Sequence, residues 1–146
     1  MNRRHSLLAL AALGLAACGE EQPYFTFAGG GFIFNYRLAD HYYGFVLRRK
    51  KAAPAGSRLE VVFELPGGAE KTETVAVEQN RLDYLFRTPP LTGIVRGHAY
   101  RARVRLIDAQ GAELARYDKS FTTDVDQSTL PQDPLVVGPG YQPAPR

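Results

Sequence analysis

The side chains that could do chemistry in this chain are few, and their spacing matches no catalytic or metal-binding pattern. A hydrolytic triad needs a Ser or Cys nucleophile beside a His. Beyond the apolar start of the chain the candidates are three serines and two histidines: Ser57, Ser120, Ser128, His41 and His98. No serine lies in a Gly-x-Ser-x-Gly turn, and neither histidine has a partner at metal-ligand spacing. The sequence therefore predicts a non-catalytic protein with no metal site.

Two short patterns resemble ligand-binding loops but lack the context that such loops need. A phosphate-binding loop needs a strand before it and a helix after it. The glycine run 29–31 is followed by a strand instead, so we interpret it as a flexible segment or a bulge. Asp124 and Asp126 are paired like the acids of calcium-binding linkers between β-domains, but the pattern lacks the following domain and the set of further acidic ligands that such a linker uses. Neither pattern predicts a bound ion.

The single cysteine, Cys18, ends an apolar run over residues 7–17 that follows a cationic start at Arg3 and Arg4. A bilayer-spanning helix needs about 20 apolar residues, so the run is too short to span a membrane and is typical of a signal peptide. Its end, Leu15-Ala16-Ala17-Cys18, resembles the lipobox of bacterial lipoproteins.

This resemblance implies cleavage before Cys18 and a diacylglycerol and an N-acyl chain bound covalently to that cysteine, which would be the only non-protein groups. Residues 1–17 are then the signal peptide and residues 18–23 a tether. Two or more acyl chains anchor a protein stably to a bilayer. Because Gly19 rather than Asp follows the cysteine, the expected location is the outer membrane of the cell envelope. An ordinary signal peptide and the twin-arginine route are the alternatives.

Length and charge exclude several other classes of protein. The chain has 146 residues, which is enough for one domain. Two of its 18 basic residues, Arg3 and Arg4, lie in the segment expected to be removed, and the others are nearly balanced by 15 acidic residues. A nucleic-acid-binding domain normally keeps a basic excess, so no nucleic-acid partner is expected.

Residues 24–126 alternate between apolar and polar side chains with the period of β-strands. One clear example is the set Leu59, Val61, Phe63 and Leu65. Turn residues recur between the segments, and no segment has helical periodicity. The sequence thus predicts an all-β domain, an antiparallel two-sheet sandwich of about seven strands. Residues 127–146 hold five of the ten prolines and are expected to be an extended or disordered tail, or alternatively a polyproline ligand.

The last two strands form the most specific expectation. A two-residue turn at residues 110–111 would pair Leu106 with Ala115 on the inner face. It would also place Arg103 opposite Asp118 on the outer face, where opposite charges across neighbouring strands are favourable.

The segment 91–105 resembles the corner between the fifth and sixth strands of fibronectin type III-like and immunoglobulin-like sandwiches. A Leu and a Gly precede Tyr100, which opens a long alternating strand. The resemblance implies that the Tyr100 hydroxyl bonds to upstream backbone. The Trp usual in that family is missing, so Phe63 or Tyr43 would have to fill its place.

Several exposed side chains are candidates for binding, although a solvated charged surface is the favoured explanation of the basic ones. The first group is a basic loop at residues 48–51. The second is a basic ladder on one strand, and the third is one tyrosine expected at the surface. The candidates are Arg48, Arg49, Lys50, Lys51, Arg101, Arg103, Arg105 and Tyr42.

These observations support one leading functional hypothesis and two alternatives. The leading hypothesis is a lipid-anchored, non-catalytic binding or scaffolding module for a protein or glycan of the envelope. The first alternative is an envelope enzyme, or a substrate-binding accessory, that uses loop residues around His41 and His98. The second is a structural subunit of a surface or secretion assembly. Fold alone does not choose among them.

Overall fold

A computed structural model describes residues 21–140 and 142–145. The expected signal peptide and Cys18 lie outside this part of the chain. The described residues form nine strands and two short 3₁₀ turns, at Pro66–Gly68 and Gln127–Thr129. No helix within these ranges is long and apolar enough to cross a bilayer. The strands are β1 (Phe25–Asn35), β2 (Asp40–Arg49), β3 (Arg58–Glu64), β4 (Glu70–Ala76), β5 (Asp83–Arg87), β6 (Tyr100–Ile107), β7 (Glu113–Phe121), β8 (Val136–Val137) and β9 (Gln142–Pro143).

Seven of these strands form two antiparallel sheets, which confirms the expectation of an antiparallel all-β domain. The three-stranded sheet has the order β1-β2-β5, and the four-stranded sheet has the order β4-β3-β6-β7. Buried side chains of both sheets join in one apolar core, an arrangement compatible with a β-sandwich. Strands β8 and β9 form a separate small hairpin.

The core follows from the alternation of the strands, because every second side chain of β2, β3 and β6 is buried. Tyr43 lies near its centre with no exposed surface. Its ring packs against the rings of Phe63 and Phe121 at centroid distances of 5.6 and 5.2 Å. Its hydroxyl donates a 2.6 Å hydrogen bond to the Glu64 carbonyl oxygen, and burial raises the pKa of this hydroxyl. Tyrosine and phenylalanine therefore fill a core that contains no tryptophan.

The register of the β6–β7 hairpin is confirmed, but its predicted turn is wrong. Leu106 pairs with Ala115 as expected. The loop has three residues rather than two, because Asp108 and Ala112 close it through a backbone bond of 2.9 Å. Strand β7 has an extra residue at position 114, where the register shifts by one. This bulge offsets the extra residue of the loop, so Leu106 still lies opposite Ala115. The Asp108 carboxylate stabilises the loop by accepting the N–H of Ala112, and Gly111 supplies a φ of 89°.

The start of the expected tail packs against the domain. Leu130 is buried in the apolar core, so the core extends beyond the expected boundary at residue 126. The N–H of Gln127 donates to the carbonyl of Ile94 at 3.0 Å, and the N–H of Leu135 donates to the carbonyl of Arg37 at 2.7 Å. These contacts place residues 127–135 against two loops at one end of the domain.

Candidate functional site

The outward face of the three-stranded sheet carries a groove whose floor is backbone rather than side chains. Gly29 and Gly31 lie on β1, and Gly31 pairs directly with Gly44 on β2. Since Gly31 and Gly44 have no side chain, the middle of the face is left as a depression of ≈ 440 Å³, which the backbone of Gly30 also lines. We call it the glycine groove. The side chains around it are those of Ile33, Tyr42, Val46, Leu85 and Arg87.

Packing within the fold explains Gly44, but it explains neither Gly31 nor Gly29, which lies two residues before Gly31 on the same face. A β-carbon on Gly44 would lie 2.5 Å from the carbonyl oxygen of Phe86, whereas a β-carbon on Gly29 or Gly31 would meet no atom within 4 Å. Glycine inside a strand costs roughly 0.5–1 kcal/mol relative to alanine. Gly29 and Gly31 therefore weaken β1 without a steric reason, and strand glycines often mark a place where a ligand or another backbone approaches closely.

The walls of the groove are mostly aliphatic and open to solvent. Ile33 is 49% exposed and Leu85 is 67% exposed. Arg87 is the one charged side chain among the described residues that line the groove. Its nearest carboxylate oxygen, on Asp40, lies 3.8 Å away. The groove thus presents an apolar surface with a single cation at one side.

Tyr42, which the sequence suggested as a stacking surface, lies in the wall of this groove. The guanidinium carbon of Arg87 lies 4.5 Å from the centroid of the Tyr42 ring. One ring face is therefore covered by a cation–π contact, and Tyr42 is half-buried.

The first half of the basic loop is used in contacts within the domain. Arg48 forms a two-bond ion pair with Asp83, at 2.8 and 2.9 Å. This pair raises the pKa of Arg48 and lowers the pKa of Asp83. The Arg49 guanidinium donates instead to the carbonyl oxygens of Glu78 and Gln79, and so it links β2 to the loop before β5.

The second half of the loop lies beside the start of the described chain. Lys51 is 3.1 Å from the Glu21 carboxylate and 4.2 Å from the centroid of the Tyr24 ring. Lys50 is exposed, and its N–H donates to the carbonyl of Tyr24. Most of the cationic cluster expected from the sequence therefore has internal partners.

The basic ladder on β6 is also paired. Arg103 lies opposite Asp118 in the backbone register, as predicted. The Asp118 carboxylate, however, contacts Arg101 at 3.2 Å, while Arg103 bonds to Glu70 on β4. The ladder therefore connects β6 to its neighbour β7 and, across β3, to β4.

Arg105, at the end of the ladder, contacts Glu60 at 2.9 Å and Glu113 at 2.7 Å. Hydrogen bonds from Arg116 and from Arg105 lower the pKa of Glu113 to about 2. Exposed ion pairs contribute little to stability. Their consequence here is that acidic neighbours neutralise the field of the ladder.

The two histidines lie in separate environments. His98 Nε2 is 2.6 Å from the Glu64 carboxylate, and this bond lowers the pKa of Glu64. His41 is 1% exposed, and neither of its ring nitrogens has a hydrogen-bond partner. His41 lines a depression beside Leu91, whereas His98 lines another beside Tyr100. Among the described residues the two histidines thus line separate depressions.

The expected bond of Tyr100 is present. Its hydroxyl oxygen accepts the N–H of Val95, five residues upstream, at 2.9 Å. The ring of His98 meets the Tyr100 ring edge to face at a centroid distance of 4.5 Å. Tyr100 therefore fixes the chain as it enters β6.

Sequence reasoning missed the glycine groove, although its glycines were visible. The run 29–31 suggested only flexibility or a bulge, and the structure does contain a register shift between Phe27 and Gly29. The missing information was the pairing of Gly31 with Gly44, which depends on the register of two strands. Within the described ranges no group of three His, Cys, Asp or Glu residues could hold a metal ion. The chain matches no protein-family model and no curated protein sequence.

Proposed function

We propose that this chain is a lipid-anchored, non-catalytic binding module of the bacterial cell envelope that holds a partner protein in the glycine groove. The anchor rests on the lipobox-like Leu15-Ala16-Ala17-Cys18. Diacylglycerol and an N-acyl chain on Cys18 would hold the domain at a membrane, with the outer membrane favoured by Gly19. The tether then leads into β1, the strand that provides two glycines of the groove floor.

We further propose that the domain belongs to the fibronectin type III-like sandwiches. In constant-type immunoglobulin domains the fourth strand lies in the same sheet as the first two. Here β4 pairs with β3 and leaves only β1, β2 and β5 in the other sheet. The bond between Tyr100 and the Val95 backbone is the second feature that supports this assignment.

The observation that carries the binding proposal is the empty floor of the groove. Gly31 lowers the stability of β1, and none of the described residues occupies the space that its side chain would take. A cost of this kind at exposed positions is explained when another molecule lies against the backbone.

The chemistry of the walls favours a protein segment with apolar side chains. Leu85, Ile33 and Val46 are aliphatic, and their exposed carbon atoms would be buried by a partner. A sugar ring would need an open aromatic face, but Arg87 already covers one face of Tyr42. Arg87 would pair with an acidic group of the partner, because its contact with Asp40 is long, at 3.8 Å.

The anchor is tested by replacing the lipidated residue. In the Cys18→Ala variant, the thiol that accepts the lipid is lost, so unprocessed or mislocalised precursor should accumulate. Membrane fractionation and the electrophoretic mobility of the mature chain measure this directly. Efficient cleavage together with normal membrane retention of Cys18→Ala would overturn the lipoprotein assignment without bearing on the groove.

The groove is tested by site-specific photocrosslinking in intact cells. A photoreactive phenylalanine analogue in place of Leu85 should give one discrete protein adduct, because this side chain lies in the wall. The same analogue in place of Thr72, an exposed residue of β4, is the matched control and should give no such adduct. A second substitution, Gly31→Val, should fill the floor and lower the Leu85 adduct by about tenfold, as expected for a loss of ~1.4 kcal/mol in binding.

Three outcomes would contradict the groove proposal. An equal yield from the Thr72 position would show non-specific contact, and an adduct that Gly31→Val leaves unchanged would place the partner elsewhere. An adduct that glycosidases digest would identify a glycan as the occupant instead of a protein.

A further inference from the structure

Strand β1 is an edge of the three-stranded sheet. Among the described residues it pairs only with β2, and its 11 residues, Phe-Thr-Phe-Ala-Gly-Gly-Gly-Phe-Ile-Phe-Asn, include no charge and no proline. Natural proteins usually protect a long edge strand with charges, prolines or a covering segment, because its free backbone groups can pair with another chain. Pairing at this edge does not require the partner proposed for the groove.

The directions of the β2 carbonyls show which β1 groups are free. The His41 carbonyl accepts the N–H of Leu91 at 2.7 Å, and the Tyr43 carbonyl accepts the N–H of Thr88 at 2.9 Å. Both bonds are on the side of β2 that faces away from β1. In an antiparallel ladder, hydrogen-bonded and non-hydrogen-bonded pairs alternate.

The β1 residues opposite these positions are therefore in non-hydrogen-bonded pairs. Phe34 lies opposite His41, and Phe32 lies opposite Tyr43. By the same alternation Gly30 belongs to this set. The N–H and C=O groups of Gly30, Phe32 and Phe34 thus point away from β2 to the free edge, and among the described residues they form no bond outside the sheet ladder.

We propose that this edge pairs antiparallel with β1 of a second copy of the chain, about a two-fold axis beside Phe32. Phe32 then lies opposite Phe32 of the second copy, and Gly30 lies opposite Phe34. These are hydrogen-bonded pairs, in which the two residues exchange both N–H···O bonds. Two-fold dimers of this isologous kind are the commonest protein oligomers.

The positions of the free groups fix this register. The edge is interrupted by the register shift between Phe27 and Gly29 at one end, and β1 ends at Asn35 at the other. A shift of this register by two residues in one direction would place Phe34 opposite the irregular segment of the second copy. A shift in the other direction would place Gly30 opposite a residue beyond the end of β1. Only the register centred on Phe32 pairs Gly30, Phe32 and Phe34 in both copies.

Side-chain size and charge favour a second copy as the occupant. In the same register Gly31 lies opposite Ile33 of the second copy, so an exposed aliphatic side chain meets an open space on the outward face. Gly30 likewise faces Phe34. Because β1 has no charge, two copies approach without repulsion, and the strand offers no charge that would select an acidic or basic peptide. Ile33 of the second copy would also close the β1 side of the glycine groove.

A register-specific disulfide tests the pairing in the full-length, membrane-bound chain. Gly31 and Ile33 of the two copies form a non-hydrogen-bonded pair, with Cα atoms about 4.5 Å apart, which suits a disulfide. One tagged chain carries Gly31→Cys and a second, differently tagged chain carries Ile33→Cys. Mild oxidation of cells that express both chains should give a covalent dimer that contains both tags and that a reductant separates into monomers. Wild-type chains, whose only cysteine is Cys18, are the negative control and should give no such dimer.

The matched control moves one thiol by two residues on the same face. Gly29→Cys has the same open surroundings as Gly31→Cys. With Ile33→Cys, however, it would form a diagonal pair about 7–8 Å apart. Its mixed dimer should be about tenfold weaker, because disulfide formation falls steeply outside the favourable Cα distances. Equal yields from the two pairs, no mixed dimer from either, or a disulfide from Ile33→Cys to a different protein would each overturn pairing with a second copy.

Discussion

Replacing Gly30 with alanine should destabilise the domain by about 3 kcal/mol, at the upper end of the usual cost of overpacking. The added β-carbon would lie 2.6 Å from the carbonyl oxygen of Gly44, 2.7 Å from the β-carbon of Phe45 and 2.9 Å from a ring carbon of Phe121. The first two contacts are with atoms of the central strand β2 that cannot move independently of the sheet. Urea unfolding followed by circular dichroism measures the change.

The neighbouring glycine is the control for this prediction. Gly31 is next in the chain but faces outward, where a β-carbon would meet nothing within 4 Å. The Gly31→Ala variant should therefore be more stable than the wild type by roughly 0.5–1 kcal/mol, since alanine loses less backbone entropy in a strand. Similar effects of the two substitutions would show that the two faces of β1 are not distinguished as the structure has them.

The opposite signs expected at Gly30 and Gly31 separate packing from function. Gly30 is required because β1 crosses close to β2 and Phe121 there. Gly31 has no such requirement, so a stabilising substitution is open to the sequence but is not used. Proteins commonly give up stability where a binding surface needs a particular shape. The residue that lowers stability without a packing reason is the one that forms the groove floor.

The sequence predicted what depends on local periodicity. Alternation along β3 and β6 identified the inward side chains, and the register of Leu106 with Ala115 followed from matching two alternating patterns. The predicted length of the loop was wrong because the longer turn and the bulge at residue 114 compensate each other. The pattern of the two strands is then the same as with a two-residue turn and no bulge. Leu130 was missed because a single apolar residue has no periodicity.

The candidate binding site was predicted less well because it depends on contacts between distant strands. The ladder that contains Arg103 was a candidate binding surface with one acidic partner expected, but its partners also include Glu70 on β4, which lies beyond β3 in the sheet. The groove depends on Gly31 and Gly44, which are 13 positions apart in the sequence and become neighbours only through the β1–β2 register. A sequence pattern shows which residues could bind, but pairing between strands decides which of them remain free.

Replacing His41 with phenylalanine should stabilise the domain by about 1–2 kcal/mol, because a buried polar group without a hydrogen bond costs about that much in proteins. Both ring nitrogens of His41 are buried without a partner. The imidazole already packs among aromatic rings, at centroid distances of 5.9 Å from Phe34 and 6.0 Å from Tyr36. A phenyl ring keeps these contacts and removes the two unbonded nitrogens. Urea and thermal unfolding at neutral pH measure the gain.

His98 provides the comparison that makes this result specific. Its Nε2 lies 2.6 Å from the Glu64 carboxylate and forms a hydrogen bond with it. Because His98→Phe removes this hydrogen bond, it should leave the stability of the domain unchanged or lower it by up to about 1 kcal/mol. A more stable His41→Phe protein with normal membrane location and an unchanged Leu85 adduct would show that the buried imidazole is dispensable for the proposed function. Loss of stability in His41→Phe would instead mean that His41 has a partner in the folded protein, and the depression beside Leu91 would then be the place to seek it.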